Sequence, residues 1–157
     1  MIRTAECVSP MHPDKMCDRI SDTLLDLFLE QDPNSRVAIE TCGGNGLVFI
    51  TGEVTSKGTI TKDEIVEVVK NITKDNDIQV IEHLNSQSPE IANGVDTGGA
   101  GDQGIMIGYA CRDNEEFLPQ EYYLSRELNK FVFDKYPYDG KTQVTMNGNS
   151  LRVVCSF

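Results

Sequence analysis

The chain is short of positive charge, of long apolar runs and of paired cysteines, and each shortage excludes a class of function. Fourteen Lys and Arg stand against 25 Asp and Glu, a formal net charge of -11. Without a basic face, neither nucleic acid nor an anionic membrane surface is a partner. An anionic substrate needs a local cradle of lysines, helix N-termini and carboxylate-held metal ions. No apolar run approaches the ~20 residues that cross a bilayer; stretches such as LVFI, 47–50, are far shorter, and the start has no signal-peptide core. No membrane is expected, and the cytoplasm is the expected location. Five cysteines, Cys7, Cys17, Cys42, Cys111 and Cys155, include no C-x-x-C pair, so they read as reduced packing residues.

What is present is enough apolar sequence, 39% of 157 residues, for one full core and part of a second. RTAECV, 3–8, reads as a strand, and from Asp14 to Gln31 the residues Cys17, Ile20, Leu24, Leu27 and Phe28 recur at helical spacing. RVAIETC and LVFITGEVTS are two strands joined by GGNG, a hairpin turn. A helix over Lys62 to Ile72 follows, opened by the capping-box pair Thr61 and Glu64, and then a strand, IQVIEHL. The first 86 residues therefore spell a β-α-β-β-α-β unit. A Gly-rich, strand-free loop over 87–103 separates it from a second run over 104–157: IMIGYAC as strand, Gln120 to Lys135 as helix, then QVTM and LRVVCSF as strands around NGNS. The expected fold is α+β, one complete unit and a second incomplete one, packing by sheet faces. An unfinished sheet leaves edges and an apolar face to be covered, so self-association, or a chain cut from a longer parent, is expected.

Three constellations carry candidate chemistry. In HPDK, 12–15, Pro13 suits the first helical position, which makes His12 the N-cap and puts Asp14 and Lys15 in the first turn. Such a terminus can cradle phosphate with Asp14 ligating Mg²⁺, or His12 can simply cap while Asp14 complements the helix dipole. Glu40 and Glu53 lie on largely apolar strands, where a carboxylate is costly unless it meets a cation or faces solvent. GAGDQG, 99–104, lets backbone pass close to a ligand, with Asp102 and Gln103 as polar groups, and is also a common turn. DGK, 139–141, is a turn carrying a lysine, and His83 in IEHL is a strand residue without chemical role.

In order along the chain, ECVSPMHPDKMCDRISD, QDPNSRVAIET, TGEVTS, QSPEIANGV, GAGDQGIMIGYA and DGKTQVT resemble the S-adenosylmethionine synthetases, also called methionine adenosyltransferases. The similarity runs from Thr4 to Thr145. It implies three β-α-β-β-α-β units related by pseudo-threefold symmetry, dimers formed by flat sheet faces, and active sites between subunits. It implies ATP and L-methionine as substrates, S-adenosylmethionine, pyrophosphate and phosphate as products, and Mg²⁺ and K⁺ as cofactors. By motif, His12 contacts the triphosphate near the reacting carbon, Asp14 ligates Mg²⁺ and Glu40 holds K⁺. Lys15 is carried over as a substrate contact, Glu53 and Gln87 bind methionine, Asp102 joins the substrate pocket, and Asp139 and Lys141 contact ATP. The stretch from Gln87 to Gln103 resembles the gate over that site, though it is shorter before its glycines than in many relatives.

The residue types suit this chemistry. Methionine's thioether is already a nucleophile, so no Ser-His-Asp or Cys-His pair is required. The work is to align sulfur with C5′ and stabilise charge on the leaving tripolyphosphate. The family's further Arg, Asp and Lys contacts have no counterpart in these residues. The expected function is S-adenosylmethionine synthesis, by a synthetase's N-terminal portion or by a minimal enzyme; the alternative is a non-catalytic, ATP-binding subunit that associates with a full-length synthetase.

Overall fold

Period-2 alternation around an N-G turn organises the first sheet. In the computed structural model, which describes residues 1–96, 98–101 and 103–157, β2 (Arg36–Gly44) and β3 (Leu47–Thr55) form an antiparallel hairpin. Asn45 and Gly46 both take positive φ, the geometry that lets a two-residue turn follow the strand twist. β4 (Gln79–Ser86) adds to β3 in parallel, so the sheet order is β2-β3-β4. α1 (Pro13–Gln31) and α2 (Lys62–Thr73) bury Ile20, Leu24, Phe28, Ile65, Val69 and Ile72 against Ile39, Val48 and Ile50 of this sheet. Ala38, Glu40, Leu47, Phe49, Thr51, Glu53, Ile81 and His83 share the other face, and Leu47, Phe49 and Ile81 are exposed there.

Two polar devices stabilise this unit. The capping box at α2 is present in full: Thr61 Oγ1 accepts from Glu64 N at 3.2 Å, and Glu64 Oε2 accepts from Thr61 N at 2.7 Å. Thr61→Ala should cost about 1 kcal/mol, read as a lower urea midpoint at unchanged m value. Just past α1, the buried Asp32 carboxylate accepts from Lys57 N at 3.0 Å and Asn34 N at 3.1 Å, which holds its pKa below the usual value. A depressed folded pKa means the stability is full above the unfolded value of about 4 and drains away as pH falls through the folded one. Urea midpoints followed from neutral to acid pH should therefore fall less steeply in Asp32→Asn.

The second sheet departs from expectation. The sequence pattern assigns the opening strand β1 (Ile2–Val8) to the unit 1–86, yet β1 pairs with β5 (Lys141–Asn147), which pairs in turn with β6 (Ser150–Ser156). Contacts accordingly group Met1–Lys15 with Met106–Phe157, and Met16–Ile105 separately. α4 (Gln120–Phe133) packs on β1 and β5. IMIGYAC is not a strand: among the described residues no sheet pairing includes it, and Ile105, Met106, Ile107 and Tyr109 stand exposed.

The expected strand-free loop also contains a helix, α3 (Pro89–Asp96), with Pro89 at its first position and Ala92 N donating to Ser88 O at 3.1 Å. Gly98, at φ +86°, and Gly99, donating to Gly94 O at 3.0 Å, close its end. The cysteines are all free, but Cys42 and Cys155 are exposed rather than packed. Among the described residues no helix is long and apolar enough to cross a membrane.

Candidate functional site

The first turn of α1 is organised by a staple that the sequence motif does not advertise. Ser9, fully buried, donates its N–H to Gly140 O at 2.8 Å and its hydroxyl to Tyr138 O at 2.9 Å. His12 N in turn donates to Ser9 O at 3.0 Å. The loop before α1 is thereby fixed to the DGK turn before β5, which is why His12 comes to lie beside Asp139 and Lys141 although well over a hundred residues intervene. These three, with Gly140, Ser156 and Phe157, line an open hollow of about 320 Å³.

His12 occupies the N-cap position. Its Nδ1 accepts from Asp14 N at 3.2 Å, so the ring proton belongs on Nε2, which is left as a donor. Lys141 opens β5 and its Nζ meets Glu6 Oε1 at 2.7 Å, with both side chains about half exposed. An ion pair this wet contributes little, so an anionic ligand can draw Lys141 away from Glu6. Lys15 behaves differently: its Nζ donates to Val8 O at 2.9 Å, tying the helix start to β1.

Asp14 does not line the hollow. Its side chain is 83% exposed, and one carboxylate oxygen lies 3.8 Å from His12 Nδ1. Among the described residues no group of three or more His, Cys, Asp or Glu is arranged to hold a metal. A single exposed carboxylate nevertheless suits Mg²⁺, which keeps several waters and is usually shared between one or two carboxylates and substrate phosphates.

Glu40, Glu53 and Gln87 belong to the unit Met16–Ile105. Both glutamates sit on the sheet face turned away from the helices, Glu40 opposite Thr51 and Glu53 opposite Ala38. Glu40 is exposed and Glu53 half-buried, and among the described residues neither has an ion-pair partner. The desolvation expected of a carboxylate on an apolar strand is thus avoided by exposure for Glu40. Gln87, between β4 and α3, accepts through Oε1 from Arg36 Nε at 2.9 Å. Asp102 lies outside the described residues.

Ser9 and Glu6 are the side chains beside the hollow that spacing did not reveal. Both stand inside ECVSPMHPDK, but a serine whose partners are backbone carbonyls far along the chain leaves no periodic signal.

The family model described as S-adenosylmethionine synthetase, N-terminal domain, matches residues 1–94, and that of the central domain matches 97–154. The chain belongs to the S-adenosylmethionine synthetase family. The S-adenosylmethionine synthase 2 of Rhodospirillum rubrum is 41% identical to it over 165 residues, covering 91% of this chain and 42% of the relative. The S-adenosylmethionine synthase of Salinibacter ruber is 44% identical over 164 residues with the same coverage. Among solved structures, an unusual S-adenosylmethionine synthetase from Campylobacter jejuni superposes with a TM-score of 0.83 at 32% identity, over 98% of this chain and 48% of that one. The chain therefore spans about 42% of the length of these curated synthetase relatives.

Proposed function

We propose that the chain takes part in S-adenosylmethionine synthesis in the cytoplasm, from ATP and L-methionine, with Mg²⁺ and K⁺. The observation that carries this reading is the convergence of His12, Asp139 and Lys141 on one hollow at the start of α1. In the first step a lone pair on the methionine sulfur forms the S–C5′ bond while the C5′–O bond breaks, and its electrons leave with tripolyphosphate. No proton has to move. What the step demands is orientation and a place for charge on the departing oxygens.

His12 Nε2–H and the Lys141 ammonium supply that place, and Asp139 contacts the nucleotide. Lys15 acts at one remove, anchoring the helix start rather than gripping substrate. Asp14 would hold Mg²⁺ and Glu40 would hold K⁺; bound metal neutralises phosphate charge. Glu53 and Gln87 are assigned to methionine, the carboxylate matching its ammonium, and Asp102 to the substrate pocket. Hydrolysis of tripolyphosphate to pyrophosphate and phosphate would use the same cradle. Along the sequence, the family's division would be a first domain at 1–86, a gate over 87–103 and the start of a central domain from 104, with strand β1 of the first pairing with β5. Self-association through the exposed sheet face bearing Leu47, Phe49 and Ile81 accompanies this reading.

A second reading takes the exposed sheet face bearing Leu47, Phe49 and Ile81 as the seat of a full-length synthetase: an ATP-binding subunit without its own turnover, associated with that synthetase. One assay separates the two. The purified chain is incubated with ATP, methionine, Mg²⁺ and K⁺, and S-adenosylmethionine is sought by mass spectrometry. Product supports the enzyme, ATP binding without product supports the subunit, and a chain that binds no ATP sinks both. Sedimentation in the same buffer should give a dimer or larger.

A further inference from the structure

We infer that a second hollow, where the parallel strands β3 and β4 end beside the start of α2, binds an α-amino acid with an aliphatic side chain. Its ammonium would sit on Glu82 and its carboxylate on Lys62. β3, α2 and β4 form a parallel β-α-β unit. The crevice at the carboxyl ends of such strands is where open sheets take ligands. This one has a volume of about 380 Å³ and a floor of Phe28, Val54, Ile60, Ile65 and Leu84. Val54, Ile60 and Leu84 are only partly buried, so apolar surface remains for a ligand to cover. The hollow lies on the helix side of the sheet, whereas Glu53, assigned above to methionine, lies on the opposite face. It is therefore a separate site and does not rest on that assignment.

The charges beside that floor select the ligand. Lys62 Nζ lies 2.6 Å from Glu82 Oε1, with the lysine side chain 80% exposed and the glutamate only 18%. The hydrogen bond from Lys62 holds the Glu82 carboxyl below its usual pKa, so it is ionised at neutral pH. An incoming ammonium can take Glu82 while Lys62 turns into water at little cost. An incoming carboxylate alone would take Lys62 and strand a largely buried charge. A monocarboxylate is thus disfavoured, and a zwitterion satisfies both members of the pair. Phosphate is a poor fit because the backbone donors of the loop are spent: Lys57 N on Asp32, Gly58 N on Ser56, Thr59 N on Gln31 and Thr61 N on Glu64. Asp63 and Glu64 add negative charge to the same helix start.

Leucine, which has no sulfur to react, is the probe. Titrated into the full chain and followed by heteronuclear NMR, it should shift the amides of Ser56, Ile60 and Leu84 saturably and leave those of Glu40 and Glu53 in place. Glu82→Gln should weaken leucine by about tenfold or more, the loss expected for a hydrogen bond to a charged group. Lys62→Met, at an exposed side chain, should weaken it by only about two- to fivefold at an unchanged urea midpoint. Isopentylamine, which lacks the carboxylate, should bind the parent more weakly than leucine by the same margin. Alanine, which lacks the tail, and isocaproate, which lacks the amine, should give no saturable shift. These ligands are compared on the parent chain, so a Glu82→Gln chain that folds poorly leaves the test standing. The inference is overturned if leucine gives no saturable shift, if isocaproate or alanine binds as tightly as leucine, or if the shifts centre on Glu53 while folded Glu82→Gln binds like the parent. None of these readouts depends on whether the chain makes S-adenosylmethionine.

Discussion

Under the proposed function, replacing His12 by alanine should lower the rate of S-adenosylmethionine formation by about 10²–10³-fold, the loss typical of one donor aimed at a developing oxyanion. The expectation follows from the ring's two nitrogens having different tasks. Nδ1 is spent on Asp14 N, 3.2 Å away, and therefore fixes the proton on Nε2 and the direction in which it points. Alanine removes both, and the lost cap alone costs about 1 kcal/mol of helix stability. His12→Asn separates the two contributions, because an asparagine side chain caps a helix well but is too short to replace Nε2–H. Asparagine should therefore restore the melting temperature without restoring the rate. Rates are measured in single turnover by mass spectrometry, so that product release does not mask the bond-making step. A His12→Ala chain that turns over like the parent, or an asparagine variant that recovers rate along with stability, would remove His12 from the chemistry.

How far the sequence reveals this arrangement depends on how local each interaction is. The capping box of α2 and the Asn45–Gly46 turn are legible because every partner lies within three residues. His12 as the cap of α1 is legible for the same reason, since Pro13 follows it directly. The partner of β1 is not, because a strand's pattern specifies which face is buried and not which edge it meets. IMIGYAC has the composition of a strand but pairs with none among the described residues. α3 escapes detection because Asn93 and Gly94 are poor helix formers, and Pro89 at its start reads equally well as a loop residue. At the hollow, His12, Asp139 and Lys141 are recognisable as residue types, and motif resemblance names them together. Their meeting depends on Ser9, whose two hydrogen bonds to the 138–140 segment have no trace in composition or period.

Gly52→Ala should be the most damaging of the small substitutions, costing at least about 3 kcal/mol and leaving little folded chain at 37 °C. Gly52 sits in the central strand β3, paired with Ile39 on one side and Leu84 on the other. Its φ of +150° lies in a region L-residues rarely adopt. A Cβ there would overlap the carbonyl oxygen of Ala38 and stand 2.9 Å from Ile39 Cα. Those neighbours are backbone atoms of a paired strand, so relief requires β2 and β3 to part rather than a side chain to turn. The consequence reaches Glu53, the proposed methionine contact, since Thr51 and Glu53 flank Gly52 and Glu53 faces Ala38 directly. Urea denaturation followed by far-UV circular dichroism should place the Gly52→Ala midpoint far below that of the parent. Gly44→Ala, where a Cβ meets nothing within 4 Å, should differ little from the parent and serves as the control. Equal midpoints for the two variants would show that the strand pair yields easily at Gly52, and that Glu53 does not depend on this glycine for its place on the sheet.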